Sequence, residues 1–255
     1  MARHFTSRRR FLQAASALVA AVPFLALGSP MAAEARLTAR PGRPSLEPME
    51  PGLHPLGLDG ARDGRLYVPQ RLDLAQPVPL VVMLHGAGGT ADQVVPILRA
   101  AADRTGSLLL APDSRSRRSW DVIQGGYGPD ITYIDRALGD LFTRFPIDAR
   151  HIAMAGFSDG ASYALSVGLT NGDLVSDILA FSPGFAAPVA MTGRPQVFIS
   201  HGVVDEILPI DRCGRRLARD LARTGYDVDY REFAGGHVVP PDLADAAMDR
   251  FTAGL

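Results

Sequence analysis

Short apolar runs alternate along this chain with longer segments whose apolar positions recur every three or four residues. The runs 80–84, 108–111, 152–155, 178–181, 197–200 and 228–233 predict strands, most of them buried on both faces. The periodic segments 91–105, 131–145, 158–169, 211–224 and 241–252 predict amphipathic helices. Their alternation implies an α/β domain with a mostly parallel, doubly wound sheet and helices on both faces. Residues 64–68 predict one more short strand, antiparallel and at the sheet edge. Between residues 36 and 55 the periodicity fades and five prolines stand. That stretch, extended to residue 60, reads as a linker, wrapped on the surface or disordered. The globular domain then covers 61–255.

One junction carries chemistry. The run 151–155 passes into Gly156-Phe157-Ser158-Asp159-Gly160, and a helical pattern follows at once. A strand-to-helix turn this tight strains the backbone at the serine and needs glycine on both sides, where a Cβ would collide with the neighbouring strand and helix. It lifts the Ser158 hydroxyl to the top of the sheet. A serine nucleophile needs a base, and the base needs an acid to orient it. Two histidines follow Ser158. His237, in Phe233-Ala234-Gly235-Gly236-His237, sits in a loop at a strand's C-terminal end, where this architecture keeps its reactive groups. His201 ends a strand and is expected to pack beneath the site. The acid is expected at Asp205, in the loop 201–209, with Glu206 in reserve. Asp173 and Asp177 precede a strand, at the wrong end of the sheet, and read as solvated turn residues.

An oxyanion needs two backbone N–H donors. One is that of Asp159, next to the nucleophile. The other is expected from His85-Gly86-Ala87-Gly88-Gly89, after the strand 80–84, with Ala87 as donor and Gly86 in reserve. This loop is no phosphate-binding P-loop: the chain has no G-x-x-x-x-G-K-[ST] motif, and every basic residue is arginine.

Together, Leu84-His85-Gly86-Ala87-Gly88, Gly156-Phe157-Ser158-Asp159-Gly160, His201-Gly202-Val203-Val204-Asp205 and Gly236-His237 resemble the phospholipase/carboxylesterase branch of the α/β-hydrolase superfamily. That branch is similar in turn to dienelactone hydrolases and poly(3-hydroxybutyrate) depolymerase-like esterases. The resemblance spans about residues 63–251. It implies an ester hydrolase with a Ser158–Asp205–His237 triad, and leaves a thioesterase or polyester depolymerase on the same machinery as alternatives. A non-catalytic binding protein on a hydrolase scaffold is the remote one. The acid at 159 departs from the Gln or small residue common after the serine in that branch. Its carboxylate disfavours anionic substrates or serves the helix N-terminus.

Composition removes other classes. The net charge is −1 over 255 residues, and no basic face suits nucleic acid. No zinc spacing and no dinucleotide fingerprint occurs, so neither metal nor cofactor is expected. The start of the chain is directional. Ser7-Arg8-Arg9-Arg10-Phe11-Leu12, the apolar stretch 14–27 and Ala33-Glu34-Ala35 match a twin-arginine export signal with a cleavage site after Ala35. The stretch is too short for a comfortable membrane span. A signal peptide over 1–35, the twin-arginine translocase as its partner, and a periplasmic or secreted enzyme beginning near Arg36 are therefore expected. The single Cys213 cannot form an internal disulfide.

Residues 182–195 join two predicted strands where many α/β-hydrolases insert a helical lid. The stretch is too short for a cap domain, so an open site and a small or polymer-end ester are expected. Gly86, Trp120, Tyr127, Phe157, Phe185 and Val238 are the candidate substrate-contacting residues.

Overall fold

The computed structural model describes residues 34–255. The twin-arginine motif and the apolar stretch after it lie outside the described residues. One eight-stranded sheet organises the chain: β1 (Gly52–Pro55), β2 (Gly64–Val68), β3 (Val78–Leu84), β4 (Leu108–Pro112), β5 (Ile147–Phe157), β6 (Asp177–Phe181), β7 (Gln196–Gly202) and β8 (Val228–Phe233). Their spatial order is β1-β2-β4-β3-β5-β6-β7-β8. β1, β2 and β4 pair antiparallel; from β4 through β3 to β8 every pairing is parallel. The helices are α1 (Ala91–Thr105), α2 (Asp121–Gln124), α3 (Pro129–Arg144), α4 (Asp159–Thr170), α5 (Gly214–Arg223) and α6 (Pro241–Phe251).

The strand period divides the core in two. Leu80, Val82 and Leu84 of β3 join Ile152 and Met154 of β5 on the face covered by α3, α4 and α5. Val81 and Met83 join Ala153 and Ala155 on the opposite face, against Val94, Val95 and Leu98 of α1 and Met248 and Phe251 of α6. α1 opens with a reciprocal cap between Thr90 and Gln93 and ends at Gly106 in the left-handed region, which explains why its bounds are readable from sequence.

Three expectations are corrected. β2 is not the sheet edge, because β1 pairs outside it. The stretch 36–60, expected as a linker wrapped on the surface or disordered, supplies β1 and a docked strap. Buried Asn171, just past α4, accepts from the Leu37 amide (2.9 Å) and donates to the Ala35 carbonyl (3.0 Å). Arg36 binds the Thr170 carbonyl and Asp173, while Asp135 on α3 takes the amides of Thr38 and Ala39. Prolines hide such a segment from periodicity arguments because its partners are distant in sequence. The bond after Ala35, the expected cleavage point, thus lies in a docked segment. Lastly, Asp177 does start β6 at the end of the sheet away from Ser158, but it is buried. Among the described residues, no helix is long and apolar enough to cross a membrane.

Candidate active site

β5 ends one residue before Ser158 and α4 starts one residue after it. Ser158 holds φ 58° and ψ −120°, a region costly for a residue with a Cβ. Neighbours over-determine that conformation. The Ser158 amide donates to Phe181 O of β6 (2.9 Å), and its carbonyl receives the amides of Ala161 and Ser162. A Cβ at Gly156 would strike the Gly160 carbonyl, and one at Gly160 would strike the carbonyls of Leu84 and His85. Both glycines are therefore required, for the reason the motif implies.

His237 stands in the loop after β8. Its Nε2 is 2.8 Å from Ser158 Oγ and its Nδ1 is 2.6 Å from Asp205 Oδ2. Asp205 caps its own loop, with Oδ1 accepting the amides of Ile207 (2.9 Å) and Leu208 (2.8 Å). Burial alone would raise the Asp205 pKa. The amides of Leu208 and Ile207 and the His237 imidazole outweigh it and hold the carboxyl below its usual range. An acceptor-saturated carboxylate facing Nδ1 fixes the tautomer that leaves Nε2 free to accept from the hydroxyl. Ser158, His237 and Asp205 are thus joined in one chain of hydrogen bonds. His201 does lie beneath, fully buried, as expected.

The loop after β3 faces the same hydroxyl. A Cβ added at Gly86 would lie 3.4 Å from Ser158 Cβ. Ala87 is exposed, and neither its amide nor that of Asp159 has an acceptor in the described structure. Below the loop, His85 is buried. Its Nε2 accepts the Ser114 amide (3.0 Å), so Nδ1 carries the proton and donates to Gly86 O (2.7 Å). Burial pushes the His85 pKa down, which keeps this arrangement neutral. Trp120 Nε1 donates to the His85 carbonyl (2.8 Å) and Arg62 donates to Gly89 O (2.9 Å). Gly88 donates to the Arg118 carbonyl.

The candidate substrate contacts separate into groups. The Phe157 ring leans on His237 (centroids 4.7 Å apart), and Val238 follows the base in an exposed position. Phe185 is half-buried beside Gly184, where a Cβ would meet the Leu208 side chain of the acid loop (3.2 Å). Trp120 is corrected: it has no exposed surface, stacks on Tyr163 (5.0 Å), and supports the loop after β3 from behind. Tyr127 is also largely buried, and its hydroxyl ties the loop after β4 to Ala187 O (2.7 Å). Ser119, which the sequence does not single out, donates to Asp159 Oδ2 (2.6 Å) and anchors the carboxylate beside Ser158. A serine in a polar loop gives no signal of that contact.

The connection 182–195 is laid along α4 by a ladder of hydroxyls. Ser162 Oγ accepts the Gly184 amide (2.9 Å), Ser166 Oγ accepts the Ala187 amide (2.9 Å), and Thr192 donates to the Thr170 carbonyl (2.7 Å). Apolar side chains stand exposed on the acid and base loops: Val203 (41 %), Val204 (65 %), Ile207 (68 %) and Val238 (53 %). Two clefts, of about 270 and 370 Å³, lie elsewhere. The first is lined by Arg150, His151 and Asp177 among others, the second by Arg115, Asp121 and Asp130 among others. Among the described residues, no three His, Cys, Asp or Glu side chains converge as a metal site.

No family model matches the chain. A curated protein of Nocardia uniformis subsp. tsuyamanensis, named "Putative esterase NocK", is 26% identical over 144 residues, which is 52% of this chain and 42% of its own length. The match thus spans less than half of that relative. Among solved structures, the chain resembles esterase PE8 at a TM-score of 0.62 and 23% identity, covering 76% of this chain and 99% of that one. It resembles a phospholipase/carboxylesterase from Dyadobacter fermentans at 0.58 and 22%, covering 73% and 95%. A Bacillus cereus carboxylesterase aligns at 0.56 and 17%, covering 76% and 94%. At these identities the likeness establishes the α/β-hydrolase fold, and no cap domain stands among the described residues.

Proposed function

We propose that this chain is a serine hydrolase of carboxylic esters that works through an acyl-enzyme on Ser158. The observation that carries the reading is the unbroken hydrogen-bond chain from Ser158 through His237 to Asp205, on a strained turn at the C-terminal ends of parallel strands. Ser158 Oγ attacks the ester carbonyl while His237 Nε2 takes its proton. Negative charge developing on the carbonyl oxygen is met by the free amides of Ala87 and Asp159. Collapse of the adduct expels the alcohol, which receives the proton from His237. Water, deprotonated by the same imidazole, then cleaves the acyl-enzyme and returns Ser158 to its hydroxyl. Asp205 holds the ring and offsets its positive charge in both halves. The names of the four similar proteins given above, esterases and carboxylesterases, support the ester class.

The stapled connection 182–195 supports an open site that needs no interface to uncover it. Soluble esters of short acyl chains fit it best. The exposed valines and isoleucine on the acid and base loops favour, as a second reading, an ester presented on an apolar solid, such as a polyester chain end. Export through the twin-arginine route to the periplasm or medium is part of the proposal. It is supported by Arg8, Arg9 and the apolar stretch after them. A fluorophosphonate probe tests the core of the reading: labelling confined to Ser158, with hydrolysis of p-nitrophenyl acetate, is expected. An unlabelled, inert but folded chain would make it a binding protein on this scaffold.

A further inference from the structure

We infer that His201 is a positioning residue of the proposed reaction: its imidazole closes the acid loop and locks the Asp205 oxygen against which His237 turns. The inference rests on the triad reading above and deepens it. His201 is fully buried at the end of β7, four residues before the acid. Its Nε2 lies 2.7 Å from the Leu208 carbonyl, and therefore carries the proton and donates. The same nitrogen is 3.3 Å from Asp205 Oδ2, the oxygen that His237 Nδ1 holds at 2.6 Å. Leu208 is bonded on both sides: its amide goes to Asp205 Oδ1 and its carbonyl to His201. The loop from 201 to 208 is thereby closed on itself around the carboxylate. Two imidazoles converge on one oxygen, one that exchanges protons with the reaction and one that does not.

The ring has no freedom to change role. His201 Nδ1 is buried with no partner among the described residues, and it packs against the first residue of α5, where a Cβ on Gly214 would lie 2.6 Å away. A proton on Nδ1 would be a buried donor with no acceptor. Among charged groups that face the ring, Asp205 and Glu232 favour a positive charge and His237 opposes it; burial outweighs them and lowers the pKa. A neutral donor suits the task. A second cation at 3.3 Å would compete with the imidazolium of His237 for the Asp205 charge, at the moment the reaction needs it. A plain packing role needs neither the shared oxygen nor the locked tautomer.

Three measurements test this. Imidazole ¹⁵N spectra of the whole protein should show His201 neutral and protonated at Nε2 at about pH 7; an Nδ1–H or doubly protonated ring overturns the inference. His201→Leu removes the donor at similar volume, and His201→Gln keeps an N–H near the same place. The Leu variant should lose about 10- to 100-fold in kcat with KM little changed and a displaced pH–rate profile, while Gln recovers most of the loss. In an Asp205→Asn background, His201→Leu should add almost nothing, because its effect passes through that carboxylate. A folded Leu variant with kcat within about twofold of wild type, or a loss that persists unchanged in the Asp205→Asn background, overturns the inference. If His201→Leu does not fold, Gln and the spectra decide. Failure of the triad itself is read separately, from Ser158→Ala retaining activity.

Discussion

The same dipeptide stands at the C-terminal ends of two strands of this sheet, and in the proposed reaction the two corners serve opposite ends of one site. β3 runs into His85-Gly86 and β7 into His201-Gly202. Both histidines are buried and both are held neutral by burial. The glycines allow close approach: Gly86 faces Ser158, and a Cβ on Gly202 would strike the carbonyls of Gly235 and Gly236 in the base loop. The rings are employed differently. His85 spends both nitrogens on backbone groups, accepting from Ser114 and donating to Gly86, with Trp120 and Arg62 around it. His201 uses one nitrogen only, beside a carboxylate. In the proposed reaction the His85 corner is a framework of dipoles that needs geometry, and the His201 corner manages a charge. Similar sequence therefore serves unlike electrostatic duties, and the two corners should fail in different ways when altered.

The largest effect is expected where the corners meet. Ser158→Ala should lower ester hydrolysis on the order of 10⁴-fold or more while the melting temperature holds or rises slightly, since a strained turn loses only a hydroxyl. More than a tenth of wild-type turnover would show that neither corner serves this serine. Next comes the charge itself. Asp205→Asn should cost on the order of 10³- to 10⁴-fold in kcat, because an amide presents an N–H or an uncharged oxygen to His237 Nδ1. Glu206→Gln, one residue on, should cost nothing; the reverse ranking would move the acid.

His85→Leu sharpens the contrast. It strands the Ser114 amide in the interior, so a stability loss of about 1–3 kcal/mol is expected along with a 10- to 100-fold fall in kcat as the Gly86–Ala87 backbone relaxes. His201→Leu leaves only an acceptor unpaired, and should unfold less readily than it slows turnover. Denaturant midpoints beside kcat for the two variants check this; equal stability losses would erase the distinction.

Acid should reach both corners. Each ring is neutral in the fold with a lowered pKa, so the unfolded chain accepts protons the folded chain refuses. Their contribution to stability is complete above about pH 6.5 and is lost progressively below it. Asp130 and Asp177, raised to about 6 by burial, act in the opposite sense in this window. The useful quantity is therefore a difference. A His85→Gln, His201→Gln double variant should lose less stability than wild type between about pH 7 and pH 5, measured by urea midpoints. Parallel curves would mean that one ring is charged in the fold.

Legibility from sequence follows the range of the interaction. The elbow, the parallel strands and α1 are local patterns, set by glycine, apolar runs and a cap, and the structure has them close to where the pattern places them. Ser158, Asp205 and His237 are singled out by motif and chain order, and His237 lies within hydrogen-bond distance of the other two. What escapes is long-range and polar. β1 has a modest pattern and exists because β2 offers it an edge. The strap at 35–40 is held by Asn171, Asp135 and Asp173, roughly a hundred residues away. A lone tryptophan in a polar loop reads as a pocket wall, yet a hydrogen bond to the His85 carbonyl draws Trp120 inside.

The smallest expected effect lies at the rim, and it separates the corners once more. Val203, Val204 and Ile207 flank Asp205, and Val238 follows His237, so the exposed apolar surface belongs to the acid–base side. In the proposed reaction His237 must reach the leaving oxygen to return its proton, which would place the alcohol, not the acyl chain, against this rim. Val204→Ser with Ile207→Ser should then raise KM about three- to tenfold for a hexyl alcohol ester and leave the ethyl ester within about twofold, the scale of one or two methylenes losing apolar contact. kcat should not change, because the rim binds ground and transition states alike. An acyl-chain series on a fixed alcohol should be indifferent to the same substitutions. If acyl length responds instead, the substrate lies the other way round and the His85 corner is the apolar side. Tributyrin below its solubility limit supplies the last control. Ordinary saturation is expected there, since 182–195 is stapled to α4 and the strap at 35–40 is pinned at the other end of that helix. A jump in rate only above the limit would mean that one of the two segments detaches and covers Ser158.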